Sequence, residues 1–304
     1  MNSLPSQDVL WHLPDALSPE ELALLRTQVA ERRGRELNWR TLHLDGSPED
    51  LCRECALKKG DRLYVAGGDG SVHLAVEALL KQVSGGGLPE IAVLPRGTGN
   101  DFARTLGLPL DDWAAAVEVA MGGHLRSSDL GRCNGEVFVN AITMGFGAEA
   151  TRDIPAPVKH VVGGAGYAAL TAWKAMAAEP FQLTVSGERV EWEGEALALI
   201  VLNGKTIGGG ARLGADAHID DGLLDMVIVP AVGIGDLRDL LNDWYQRDPQ
   251  SYELLCYLQS ERFTVHSGRA LALSIDGEPS EGKAFNLQVE PARINFVAGD
   301  CPES

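Results

Sequence analysis

The sequence predicts two domains: an α/β domain over residues 1–124, a parallel sheet with helices on both faces, and a β-rich antiparallel, sandwich-like domain over 125–304. Three observations carry this. Up to residue 124, strand-like runs alternate with amphipathic helical runs, the pattern of a helix-covered parallel sheet. Beyond it, short strand-like runs bounded by Gly, Asp and Asn dominate. Two glycine-rich loops, at 67–70 and 95–101, each follow a strand and open a helix.

Residues 9–13 read as a first strand. Ser18 then caps a helix, Pro19 takes its first position and Glu21 completes a capping box. Leu22, Leu25 and Val29 recur at helical spacing, and Gly34 can close the helix. A second strand covers 37–43, and Ser47-Pro48-Glu49-Asp50 opens a second helix that Gly60 ends. The third strand, 62–66, runs into Gly67-Gly68-Asp69-Gly70. Behind that loop, Val72, Ala75, Val76, Leu79, Leu80 and Val83 form one helix face. The strand 91–94 leads into Pro95-Arg96-Gly97-Thr98-Gly99-Asn100-Asp101, whose last two residues can cap a helix over 102–106. Asp111 is expected to cap a helix over 114–121, stopped by Gly122-Gly123. In the second domain, strands are expected at 125–130, 136–142, 181–185, 196–202, 223–229, 262–266, 270–275 and 285–289. A few helical inserts are expected, such as 235–246, and the strand 293–297 can return to the first domain.

The 304 residues are 45% hydrophobic and 23% charged, enough for two cores and against general disorder. Lys and Arg number 26 against 43 Asp and Glu, a formal charge of −17. That excludes a nucleic-acid partner, whose binding is dominated by phosphate neutralisation, and strong electrostatic docking on anionic membrane. The first ten residues show no basic segment leading into an apolar run, and 160–173 is too short to span a bilayer. Five cysteines at irregular positions (52, 55, 133, 256 and 301) read as reduced thiols, so a cytoplasmic location is expected.

The two glycine loops carry the chemistry. Gly67, Gly68 and Gly70 let backbone approach a bulky anion, and the helix beginning behind them points N–H groups and its positive dipole end at that anion. Asp69 is suited to hold a divalent cation that bridges phosphate oxygens; the plain alternative is a helix cap. Both loops should emerge at the carboxyl edge of the sheet, where open α/β sheets bind ligands. There Gly97 and Gly99 allow close approach, Thr98 offers a hydroxyl and Asp101 a second carboxylate. Asp276-Gly277-Glu278 and Asp220-Asp221-Gly222 read most simply as turns beside strands.

Taken together, these residues resemble the diacylglycerol-kinase catalytic family, in its bacterial soluble lipid-kinase branch. Further motifs in the same order are Asp129-Leu130-Gly131 with Asn134-Gly135, Asn203-Gly204 with Gly208-Gly209-Gly210, Asp221-Gly222-Leu223-Leu224-Asp225, and Asp276-Gly277-Glu278. The resemblance implies an α/β nucleotide-binding domain and a β-rich lipid-acceptor domain, with ATP in the cleft between them and Mg²⁺ as cofactor. It implies transfer of the γ-phosphoryl group to a hydroxyl of a diacylglycerol-like lipid. By position, Gly67, Gly68, Asp69, Gly70, Ser71, Val72, His73, Gly97, Thr98 and Asn100 contact the nucleotide, with Thr41 a further candidate. Asp69 and Asp101, joined by Asp129, serve the metal–phosphate network. Asp276 is the first candidate for the base that accepts the hydroxyl proton, and Glu278 the next. Asp221, with backbone oxygens of His218 and Leu223, matches a structural metal site.

Two other readings stand beside this one. A kinase for a soluble acceptor, such as NAD kinase, shares the Gly-Gly-Asp-Gly loop. A catalytically weak lipid- or nucleotide-binding protein is suggested by Leu13-Pro14-Asp15-Ala16, where the family has Asn-Pro-x-Ser-Gly, and by His73-Leu74, where it has Asn and Glu. The membrane lipid is expected to be reached by transient peripheral contact through residues 154–173, an apolar stretch with few charges. Cys52 and Cys55 are expected to face the core of their helix, and the glutamates around Trp192 to line a solvated hairpin. The sequence leaves the oligomeric state open.

Overall fold

In the computed structural model the described residues are 6–13, 16–41, 57–82, 87–145, 179–213, 217–231 and 255–300. Expectations for the helices at 47–60 and 235–246, for Cys52 and Cys55, and for the membrane-contact stretch 154–173 fall wholly or largely outside them. The contacts divide the chain into Met1–Ser128 with Ala292–Ser304, and Asp129–Pro291.

The first unit is built on β1 (Asp8–His12), β2 (Leu37–Thr41), β3 (Arg62–Gly67) and β4 (Glu90–Pro95), in the order β2-β1-β3-β4 with every neighbouring pair parallel. Helix α1 (Pro19–Arg33) starts on Ser18 with the full capping box, and Gly34 closes it in the left-handed conformation at φ 62. Leu10, Tyr64, Ala66, Ala92 and Leu94 on alternate strand positions pack with Leu25 and Val29 of α1. The opposite-parity residues Val9, Trp11, Leu63, Val65, Ile91 and Val93 are buried as well. Burial on both sides explains why these strands read as unbroken apolar runs. Helix α2 (Asp69–Gln82) packs on β3, and the one-turn helix α3 (Asp101–Thr105) packs on β4. Helix α4 (Trp113–Gly122) is capped by Asp112, whose carboxylate accepts the Ala115 N–H, and not by Asp111 as expected.

Under the sheet, Asp8 is fully buried. Its carboxylate accepts from Arg33 at 2.6 and 3.1 Å, from Arg35 at 3.0 Å and from the Tyr64 hydroxyl at 3.3 Å. Burial first, then the Asp8 charge, pushes the Tyr64 hydroxyl upward, which keeps it a donor.

The second unit is antiparallel. Its strands are β5 (His124–Cys133), which begins in the first unit, β6 (Glu136–Phe138), β7 (Ala141–Gly145), β8 (Phe181–Gly187), β9 (Glu191–Leu202), β10 (Thr206–Ile207), β11 (Ala211–Arg212), β12 (Leu224–Pro230), β13 (Cys256–Ser260), β14 (Arg262–Ile275) and β15 (Glu278–Ala298). β9 pairs β8 along its first half and β7 along its second, and β14 pairs the same two strands. So β7 and β8 lie end to end between two long strands. Leu199 and Val201 pack into one cluster, Ala198, Ile200 and Leu202 into another, on the two faces of β9. The first half of β9 keeps Glu191, Glu193 and Glu195 exposed around Trp192.

Three strand expectations change, and β13 is a strand the sequence does not predict. The run 136–142 is two strands, because Val139, Asn140 and Ala141 give their N–H groups to a carboxylate instead of a ladder. The runs 262–266 and 270–275 are one strand with an irregularity between His266 and Leu271. The runs 285–289 and 293–297 are the single strand β15, whose Phe296 pairs parallel with Ile91 in the first unit. β13 has no alternating pattern to betray it; it pairs β12 from Leu224 to Ile228.

Two substitutions rank these interactions. Ser18→Ala removes an exposed cap and should cost about 1 kcal/mol. Asp8→Ala leaves two guanidinium groups and a phenol without their buried acceptor and should cost about 3 kcal/mol. Urea unfolding midpoints of the two variants should fall in that order.

Candidate active site

The two glycine loops are fused backbone to backbone. A Cβ on Gly68 would lie 2.8 Å from the Gly97 Cα, and one on Gly97 would lie 2.4 Å from the Gly68 Cα. No side chain fits at either place. The Arg96 N–H donates to the Gly67 carbonyl at 2.9 Å. Asn100, at φ 51, closes its own loop: Oδ1 accepts the Gly97 N–H at 2.9 Å and Nδ2 donates to the Gly97 carbonyl at 2.7 Å. Asp69 joins one loop to the other, its two oxygens accepting the N–H groups of Asp101 at 3.1 Å and Phe102 at 2.9 Å. Asp69 therefore caps the helix of the neighbouring loop, a task Asn100 leaves undone.

Not every residue expected at the nucleotide is exposed. Ser71, Val72, His73, Asn100 and Asp101 are buried, while Gly70 and Thr98 lie at the surface. Thr41 ends β2. Gly70 is informative because the fold does not require it: a Cβ there meets nothing within 4 Å, and its φ is not positive. A helix residue with open space in front is normally not glycine, since glycine weakens helices. Arg96 stands over the Trp113 ring at 4.3 Å and pairs with Glu21.

In the second unit, Asp276 and Gly277 form the turn between β14 and β15, both at positive φ (47 and 101). This is the two-residue hairpin that Asp-Gly favours. The Asp276 carboxylate accepts three backbone N–H groups, from Val139 at 2.6 Å, Asn140 at 2.9 Å and Ala141 at 2.8 Å. The Asn140 carbonyl in turn accepts from Asn203 and Gly204, so three loops meet there. Glu278 stands exposed at the start of β15.

Asp129, Asp221 and Asp225 gather in the same unit. Asp129 is buried and accepts the Gly222 N–H at 2.7 Å. Burial pushes the Asp221 carboxyl up, the Leu223 N–H opposes, and the Asp129 charge adds to the rise. Burial also raises Asp225, against hydrogen bonds from Tyr257 and Gln259, and Asp221 adds to it. Among the described residues no group of three His, Cys, Asp or Glu side chains forms a metal site. A cation at Asp221 would draw its other ligands from carbonyls, and the mutual repulsion of these aspartates is what it would relieve. The residues fit such an ion.

Sequence reasoning missed the clamp at Asp276. The signal was available, since Asp-Gly between strands marks a turn, but nothing in the spacing tells which distant N–H groups the carboxylate takes. Asp276→Ala should leave three buried donors without an acceptor and cost about 2–3 kcal/mol. A thermal melt that matches the unsubstituted protein would refute the clamp.

Comparisons with known proteins identify the family. Residues 18–133 match the diacylglycerol kinase catalytic domain, and 140–298 match the YegS C-terminal NAD kinase beta sandwich-like domain. A protein of Pseudomonas aeruginosa named "Probable lipid kinase YegS-like" is 35% identical over 90% of both chains. One of the same name from Pseudomonas syringae pv. tomato is 36% identical over 89% of this chain and 87% of its own. Two solved structures from Bacillus anthracis str. Sterne share the fold over 97% of both chains. One has TM-score 0.82 at 24% identity; the other, described as a diacylglycerol kinase, has 0.75 at 21%. With both domain models matched in order and curated relatives aligned along nearly its whole length, the chain belongs to the diacylglycerol kinase catalytic family, in its YegS-like lipid-kinase branch.

Proposed function

We propose that this chain is an ATP- and Mg²⁺-dependent kinase that phosphorylates the hydroxyl of a diacylglycerol-like membrane lipid. The observation that carries the reading is the fused pair of glycine loops with open space at Gly70, in a chain whose curated relatives are named lipid kinases. The N-terminus of α2 beside Gly70 suits the phosphates of ATP, and Thr98 lies exposed on the adjoining loop. Asp69 and Asp101 would hold Mg²⁺ near the phosphates, where it neutralises charge on the transferred group. Asp69 serves two ends at once, because each oxygen that accepts an N–H keeps a second lone pair.

In the transfer, the lipid oxygen attacks the γ-phosphorus, the bond to the β-phosphate oxygen breaks to release ADP, and the hydroxyl proton passes to a carboxylate. Two carboxylates were candidates. Asp276 has three of its lone-pair directions filled by backbone N–H groups, so taking a proton would disrupt the junction of three loops. Glu278 has no such commitment and is exposed. Glu278 is the proton acceptor in this reading, and Asp276 fixes the turn that presents it.

Reaching a bilayer substrate requires transient peripheral contact. The net charge of −17 favours apolar contact over attraction to anionic headgroups. No helix among the described residues is long and apolar enough to cross a membrane.

The test is transfer of labelled phosphate from ATP to total membrane lipid, with NAD and an acceptor-free control in parallel. Labelled lipid is the expected product; labelled NAD alone would move the reading to a soluble acceptor. Glu278→Gln should cut turnover at least about a hundredfold with nucleotide binding unchanged, the scale of a lost general base. Near-normal turnover in that variant would return the role to Asp276 or Asp101.

A second prediction concerns the ion at Asp221. Added Mg²⁺ should raise the melting temperature, and Asp221→Ala should abolish that rise. Because the Asp221 pKa is raised, proton and cation compete from above the usual carboxylate range downward. The Mg²⁺ effect should therefore fade as pH falls through that raised value. An equal rise in the Asp221→Ala protein would place the ion elsewhere.

A further inference from the structure

Beside the second glycine loop lies a cavity of about 320 Å³, walled by the loop itself with Arg104, Leu110 and Asp111. It is at the small end for a ligand pocket and mostly polar, so it does not suit acyl chains. Thr98 lies on its rim-forming loop, so it adjoins the place assigned to the nucleotide.

Two consecutive aspartates precede α4, and they have divided their tasks. Asp112 caps the helix through the Ala115 N–H. Asp111 is exposed and makes no hydrogen bond or ion pair among the described residues, yet it lines the cavity. Its neighbours in the wall are committed. Arg104 donates to the Gly99 carbonyl at 3.2 Å, and Arg96 is held by Glu21 and the Trp113 ring. A carboxylate accepts from hydroxyls and repels phosphate, so of the parts of a nucleotide Asp111 suits the ribose hydroxyls better than the phosphates. The phosphates already have the N-terminus of α2 on the neighbouring loop.

We propose that Asp111 recognises the ribose of the nucleotide, its two oxygens accepting the adjacent 2′ and 3′ hydroxyls, with the cavity enclosing the nucleoside. Leu110 supplies an apolar contact and the Arg104 guanidinium a flat cationic surface suited to a base. The inference rests on the kinase reading and adds the residue that distinguishes ribonucleotides from deoxyribonucleotides. It makes Asp111 a nucleotide-specificity residue with no part in proton transfer.

The test is calorimetric binding of ADP and of 2′-deoxy-ADP, each with Mg²⁺, to the full chain and to Asp111→Ala and Asp112→Ala. The unsubstituted protein should bind ADP about tenfold more tightly, the scale of one charged hydrogen bond. Asp111→Ala should lose that preference with no change in melting temperature. Asp112→Ala should melt earlier and keep the preference. Equal affinity of the unsubstituted protein for both nucleotides, or an undiminished preference in Asp111→Ala, overturns the inference and leaves the kinase reading standing. A change in KM for the lipid with nucleotide affinity unaltered assigns the cavity to the acceptor and overturns it too. Failure of the unsubstituted protein to bind either nucleotide removes the kinase reading, and the inference with it.

Discussion

Among the described residues, several loops are held by aspartate carboxylates that accept backbone N–H groups. A strand that ends, or a helix that begins, leaves donors without a ladder or helical partner, and a buried donor must find an acceptor. Asp61 takes the N–H of Gln7 and of Lys58. Asp69 takes those of Asp101 and Phe102, Asp129 that of Gly222, and Asp276 those of Val139, Asn140 and Ala141. Each of these carboxylates takes at least one donor from a different segment of the chain. The bonds thus set the positions of the loops relative to each other inside each unit, which the strand ladders alone do not.

This constraint explains what the sequence made legible and what it hid. Elements whose signals are local were readable: α1 from its capping box, β3 and β4 from apolar runs ending in glycine, β9 from the run 196–202. Asp111 and Asp112 satisfy the same local capping rule for α4, and one residue of register decides for Asp112. The break at Val139 and Asn140 was unreadable for a different reason. Val139 is a good strand former and a single Asn does not by itself end a strand; the break comes from the Asn140 N–H being captured by a carboxylate 136 positions away. No periodicity carries that information.

The candidate site divides in the same way. The glycine loops could be found because glycine is demanded where backbones touch, and Gly68 and Gly97 do touch. Gly70 looks identical in the sequence, yet the structure gives it no packing reason. The difference between a glycine required by the fold and one left for a ligand is visible only when the space in front of each is known. The acceptor side was harder still. Asp276 and Glu278 are equivalent in spacing, and only the hydrogen bonds separate a committed carboxylate from an available one.

A carboxylate that holds a loop and a carboxylate that moves a proton both abolish activity when removed, so loss of turnover cannot tell them apart. The distinction lies in the donors. Asn replaces Asp poorly at positions 69 and 276, because one oxygen becomes an amide NH₂ facing a backbone N–H, a donor against a donor. Stability should then fall along with rate. At an exposed carboxylate with no backbone partner, such as Glu278, the amide is nearly neutral for folding and removes only the basic lone pair. The ratio of lost rate to lost stability is therefore the quantity that assigns roles in this family of loops. On that scale the hydrogen bonds put Asp69 and Asp276 at the structural end, whatever chemistry Asp69 also supports, and the proposed mechanism puts Glu278 at the chemical one.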